Sequence, residues 1–310
     1  MSKYFSIFLV FMSTLFWGAN FNVGKFVVEY LPPTVAAALR FSLASIVILI
    51  IVYFKEKQFK MAIKENFIMY LLLGFIGVAG FNGFFFLGLK FTSSFNGALI
   101  MATNPILTAS LAVFILKDSF NKNLLYGMLL SLFGVLIIVT NGSLSKLMNL
   151  QISVGDYFIM LGNICWALYC VLCKRFLKNS KPLITTAMTM LSGTILLILL
   201  AYQDFNLTEL ISLPYSVYMS IFYMSIFGAV LAYLFWNMGV NNLGVGKTSI
   251  WFNMVPVFTV IISLIMGQSF YFIQIIGGFI VILGVIFSLN FFNFKKVYKI
   301  MRKSFSEKNI

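Results

Sequence analysis

Ten apolar stretches, each of about twenty residues and parted by short polar segments, fix what this chain can become. At ~1.5 Å per residue a helix of about twenty apolar residues crosses the ~30 Å hydrocarbon layer of a bilayer. Lipid offers no partner to a backbone N–H or C=O, so a segment of that length crosses as a helix that pairs its own backbone. The stretches predict spans at 5–24, 34–54, 67–89, 95–116, 124–141, 155–174, 184–202, 215–238, 247–266 and 271–292. The chain is 61% hydrophobic and 10% charged, against roughly 25% charged in soluble domains. The expected fold class is an all-α integral membrane protein. The first stretch has the short basic start of a signal peptide. It runs through Trp17-Gly18-Ala19-Asn20 into more apolar sequence with no small-residue cleavage site, and so reads as a span.

The net charge of +14 would suit a nucleic-acid binder, but the cations sit in clusters between apolar runs. With the N-terminus inside, eighteen basic residues fall on inside segments, and only Lys25, Lys90 and Lys146 fall outside. That asymmetry predicts cytoplasmic termini in a multi-pass inner (plasma) membrane protein whose partners are the bilayer and a small-molecule substrate, with no nucleic acid. The tail from Phe291, basic at Lys295, Lys296, Lys299, Arg302 and Lys303, reads as an interfacial helix on the anionic leaflet. Histidine is absent, and Cys165, Cys170 and Cys173 share one apolar run, which argues against a disulfide framework or a zinc site. Their expected role is helix packing.

An internal repeat is visible. Trp17, Lys25 and Pro33 recur 149 residues later as Trp166, Lys174 and Pro182; Gly77, Gly88 and Pro105 recur 151 later as Gly228, Gly239 and Pro256. Gly127 and Gly134 recur 150 later as Gly277 and Gly284. The expected domains are residues 1–148, 149–292 and a basic tail, 293–310. Five spans per repeat is an odd number, so the halves cross in opposite senses, as inverted repeats that build a site near the midplane. The fourth and ninth spans each hold a proline after polar residues: Asn96, Thr103 and Asn104 before Pro105, Thr248 and Asn253 before Pro256. Proline removes a donor and kinks the helix there. The seven-residue glycine spacing in the fifth and tenth spans predicts a close contact between the halves.

Leu15-Phe16-Trp17-Gly18 leading to Lys25, Leu39-Arg40-Phe41, Asn104-Pro105 and the glycine pairs, in this order and spacing, resemble an EamA-type member of the drug/metabolite transporter superfamily. The resemblance covers nearly the whole chain. It implies ten helices in two inverted five-helix repeats and bacterial inner-membrane export of amino acids or related compounds. The family often places a glutamate just after the fourth and ninth helices, where this chain has Asp118 and Gln268.

The candidate cavity residues are Trp17, Asn20, Asn82, Phe85, Asn96, Thr103, Asn104, Asn163, Trp166, Tyr233, Trp236, Asn237, Thr248 and Trp251. Tyr233, Trp236 and Asn237 are spaced i, i+3 and i+4 on one helical face, as Thr248 and Trp251 are at i and i+3. They read either as the lining of an apolar pocket with a few polar groups or as an interfacial aromatic belt. Arg40 lies about six residues, or ~9 Å, inside its span. Burying it costs ~2.5–3.5 kcal/mol on insertion scales. It is either a snorkelling cation paired with Glu29 or a contact for an anionic group of the substrate. All eight acidic residues lie in loops, at helix ends or in the tail. No proton relay or catalytic site at depth is expected, and no metal or cofactor. Gly246-Lys247-Thr248 resembles the end of a phosphate loop, but the first glycine of that motif is Asn241 here and no strand precedes it.

The leading expectation is a transporter moving a small amphipathic metabolite by alternating access. An amino acid or flat heteroaromatic molecule fits the lining better than a sugar phosphate. Uptake or exchange of a nucleotide-like or adenosyl metabolite is the alternative within that class, and a structural or assembly protein the alternative outside it.

Overall fold

The computed structural model describes residues 2–56, 59–92, 94–118, 122–149, 151–265, 267 and 271–289. The expected basic tail at 293–310 and Gln268 lie outside them. Among the described residues nine helices are long and apolar enough to cross a membrane: α1 Lys3–Tyr30, α2 Pro33–Lys55, α3 Lys64–Phe91, α4 Asn96–Leu116, α5 Lys122–Thr140, α6 Val154–Phe176, α7 Pro182–Asp204, α8 Tyr215–Leu243 and α9 Val245–Ile265. A shorter apolar helix, α10 Phe272–Ser288, completes the set. The protein is a multi-pass, all-helical membrane protein. Its outer faces carry exposed apolar side chains such as Phe54, Phe114 and Ile265, a surface suited to lipid.

Local chemistry sets the helix ends. Pro33 and Pro182 occupy the first turns of α2 and α7, where a missing N–H costs nothing. Ser153 and Asp156 form a reciprocal capping box at the start of α6. The Asp156 carboxylate also accepts from Thr92 and, at 3.2 Å, from Asn96, tying the loop before α4 to α6. Between α8 and α9 the chain reverses at Gly244, whose φ of +89° favours glycine. The Gly-Lys-Thr segment is thus the first turn of a membrane helix rather than a phosphate cradle.

The packing follows the sequence repeat. α1 packs on α8 and α9, while its mate α6 packs on α3 and α4. α2 meets α8 as its mate α7 meets α3, and α2 meets α7. The recurring lysines have matching tasks: Lys25 Nζ donates to Leu89 O at 2.7 Å at the end of α3, and Lys174 Nζ donates to Asn241 O at 2.8 Å near the end of α8. Each cation meets the negative end of a helix dipole. The glycines of α5 and α10 face one another. A Cβ on Gly134 would stand 2.7 Å from Gly277 O, and one on Gly277 would stand 2.8 Å from Gly134 O.

Two departures from regular α-helix are also repeated. α3 winds as a π-helix over Phe75–Gly80, and α8 does so over Ile226–Leu231, the same register 151 residues on. The chain turns at 102–103 in α4 and passes through a 3-10 turn at Ile250–Asn253 in α9, each just before its proline. The prolines foretold the second pair. The π turns had no such signal; in each, a glycine leaves room for a side chain of the other half. A Cβ on Gly77 would strike the Tyr169 ring at 2.2 Å, and one on Gly228 would strike the Asn20 amide nitrogen at 2.5 Å. Asn20 and Tyr169 are themselves repeat mates, 149 residues apart.

Candidate functional site

The two π turns put the centre of the bundle under strong constraint. A π turn widens the helix and turns carbonyls away from the regular ladder. Gly228 O accepts from Trp17 Nε1 at 2.9 Å and from Arg40 Nη2 at 2.9 Å. Arg40 Nε donates to Met224 O at 3.1 Å, and Nη1 donates to Asn82 Oδ1 at 3.1 Å. Asn82 Nδ2 donates in turn to Tyr233 OH at 2.8 Å. Asn82 and Tyr233 are repeat mates, so this bond joins the halves. On the other side Asn237 Nδ2 donates to Tyr169 OH at 2.8 Å and to Thr186 Oγ1 at 2.9 Å. Tyr169 OH also meets Thr189 Oγ1, the mate of Arg40, at 3.3 Å.

Around this network stands an aromatic cluster. Trp17 and Trp166 meet edge to face with centroids 5.3 Å apart, Trp166 lies 5.0 Å from Tyr233, and Trp236 lies 5.0 Å from Trp17. Phe252 adds a ring 5.6 Å from Trp17. Such offset and edge contacts suit the aromatic quadrupole. Trp17, Asn20, Arg40, Asn82, Phe85 and Trp166 enclose a cavity of about 30 Å³, completed by Phe21, Phe81, Met101 and Phe252. That is the space of a water molecule. Two of the lining residues carry a buried side-chain atom without a hydrogen-bond partner: Asn20 Oδ1 and Trp166 Nε1.

The remaining candidates fall into separate groups. Tyr233 and Trp236 back the cavity as buried rings, Trp236 donating to Cys170 Sγ at 3.2 Å. Thr103, Asn104 and Asn163 form their own cluster: Asn104 Nδ2 donates to Asn163 Oδ1 at 2.6 Å, and Asn163 Nδ2 donates to Thr103 Oγ1 at 3.0 Å. They pin the interrupted α4 onto α6. Asn96 joins Asp156 near the start of α6, and Thr248 donates to Gly244 O within the first turn of α9. Trp251 is buried against Phe11, rings 6.2 Å apart, and does not line the cavity. The expectation paired it with Thr248 on a cavity face, but neither residue lines the cavity: the face they share is turned away from it, and Phe252, one residue on, takes the lining position. The structure also bears on two alternatives that the sequence left open. Trp236 and Trp251 are buried within the bundle rather than on an interfacial belt, and Arg40 is held by two carbonyls and an amide, with no bond to Glu29.

A second cavity, of about 460 Å³, opens between α4, α5 and the α8–α9 turn, with Asp118 and Lys247 on its walls. Among the described residues no cluster of three or more His, Cys, Asp or Glu side chains is placed to hold a metal ion.

Comparison with known proteins adds an independent line. The model of the EamA-like transporter family matches residues 4–140 and again 153–290, a tandem match to the two halves. The chain is 45% identical over 285 residues to the "Uncharacterized transporter YyaM" of Bacillus subtilis (strain 168), covering 92% of this chain and 93% of that protein. It is 30% identical over 274 residues to the "Uncharacterized transporter YetK" of the same organism, covering 86% and 82%. A solved structure titled "Crystal structure of protein" superposes with a TM-score of 0.77 at 16% identity, over 93% of this chain and 97% of that one, a likeness of fold.

Proposed function

The chain belongs to the EamA-like transporter family, and from that premise we propose that it carries a small amphipathic metabolite, an amino acid or related compound, out of the cell by alternating access through the central cavity. It acts as a carrier and not as an enzyme, in the inner membrane, with both termini in the cytoplasm.

One observation carries this reading. The repeat mates Trp17 and Trp166 stand edge to face at a cavity that both halves line. A site at the interface of inverted repeats is reached from either side as the halves rock. The space of about 30 Å³ admits no metabolite in this conformer, so the rings of α1, α6, α8 and α9 part for the substrate to enter. The α5–α10 glycine contact supports that motion, because it joins the halves through close backbones away from the cavity. The aromatic lining also suits stacking on a nucleoside-like ring, which favours uptake or exchange of such a compound as the second reading.

No carboxylate lines the cavity, which supports facilitated movement or exchange over proton coupling at depth. The experiment is counterflow: purified protein in liposomes preloaded with unlabelled solute, over a panel of amino acids and nucleosides, without any gradient. Transient accumulation of the labelled solute is expected. Accumulation only under an imposed pH difference would overturn the uncoupled mechanism. Failure of the whole panel under both conditions would overturn the transport of these substrates.

A further inference from the structure

Arg40 is 3% exposed and has only neutral partners: Met224 O, Asn82 Oδ1 and Gly228 O. A guanidinium carries five N–H donors and stays protonated, and the three bonds leave one N–H on each terminal nitrogen. None of the other cavity-lining side chains is charged. The cavity therefore carries a positive charge that its own walls do not neutralise. In a water-poor interior a charge acts on its neighbours far more strongly than in water, and a buried charge without a counter-charge is costly. Such a cavity attracts an anionic group and rejects a cationic one.

A second observation points the same way. Trp166 Nε1 is a buried donor without a partner, and an indole N–H can only donate. Trp166 lines the same cavity as Arg40, so two residues with unused donors border one small space. Both call for oxygen acceptors. Among the described side chains of the lining, Asn20 Oδ1 is the one buried acceptor without a partner, and the rest of the lining is mostly phenyl and indole rings.

We propose, building on the transport reading of this site, that the cavity selects a carboxylate. The carboxylate of the substrate sits against Arg40 and Trp166 Nε1, its flat apolar body lies among the rings, and any N–H group it carries turns toward Asn20 Oδ1. An amino acid satisfies this through its carboxylate end. An amine on the same apolar body does not.

The competing role for Arg40 is that of a staple holding the π turn of α8, which predicts no preference for substrate charge. Binding separates the two. Trp17, Trp166 and Trp236 are three of the four tryptophans in the chain and stand around the cavity, so intrinsic fluorescence of the purified full-length protein in detergent reports occupancy. The probes are 3-phenylpropionate, 3-phenylpropanamide and 3-phenylpropylamine, which share one body and differ in charge. The expected result is carboxylate binding at least about tenfold tighter than the amine, or about 1.4 kcal/mol, with the amide between. Arg40→Lys should keep the order, Arg40→Gln should erase it, and Trp166→Phe, which keeps a ring but loses the N–H, should weaken the carboxylate several-fold. Thermal melting alongside identifies a misfolded variant; if Arg40→Gln is one, the wild-type series and Trp166→Phe decide. Equal or tighter binding of the amine, survival of the preference in folded Arg40→Gln, or silence of all three probes overturns the proposal. Counterflow of a neutral or zwitterionic solute by the same preparation would then leave the transport reading standing while this one falls.

Discussion

Replacing Gly134 by alanine tests the claim that α5 and α10 are held at backbone contact. The added methyl would stand 2.7 Å from Gly277 O and 2.7 Å from Val281 N. Both are main-chain atoms of a helix and cannot swing aside, so the helices must separate. Overpacking of this kind costs about 1–3 kcal/mol, while glycine to alanine inside a helix returns about 0.8–1.0 kcal/mol. The two nearly cancel at the low end, so Gly134→Ala alone is a weak test. Gly83, in α3, supplies the control: a Cβ there meets nothing within 4 Å. Gly83→Ala gains the helix term without the clash, and the difference between the two variants isolates the steric part, about 1–3 kcal/mol. The assay is thermal melting of each purified variant in one detergent, followed by tryptophan fluorescence. Gly83→Ala should melt at or above the parent, and Gly134→Ala below Gly83→Ala. Equal melting of the two would mean that α5 and α10 do not touch as described.

The remaining expectations concern the cavity and the orientation. Phe252→Ala should weaken substrate affinity about tenfold, since a well-placed ring contributes ~0.5–1.5 kcal/mol beyond its area and 1.4 kcal/mol is one decade. Trp251→Phe should leave affinity unchanged and lower the melting temperature; affinity measured beside melting for both variants checks the assignment, and the reverse pattern would refute it. The excess of basic residues on one side predicts that alkaline phosphatase fused to the C-terminus stays inactive in whole bacteria. An active fusion would reverse the orientation.

Much of the architecture was legible in the chain. Apolar runs of bilayer length dictate helices because an unpaired backbone is intolerable in lipid, and a recurrence drifting only from 149 to 151 residues dictates two like halves. The recurrence of Lys25 and Lys174 was visible too, but not the carbonyls they cap, since a sequence shows no helix end belonging to another segment. The candidate site was read in part. Trp17, Asn20, Asn82, Phe85, Trp166 and Arg40 converge on the cavity, while Asn96, Thr248 and Trp251 lie elsewhere. Periodicity puts Thr248 and Trp251 on one face but does not say which face meets the other half, and in the folded chain it is Phe252 that lines the cavity. The π turns at Phe75–Gly80 and Ile226–Leu231 lie at the repeat interface, where Tyr169 meets Gly77 and Asn20 meets Gly228. Composition and spacing thus determine which segments are helices and how the halves correspond. Prolines mark the interruptions of α4 and α9, but only the contact between the halves decides which side chains and carbonyls face the cavity, because the residues that meet there lie far apart in sequence.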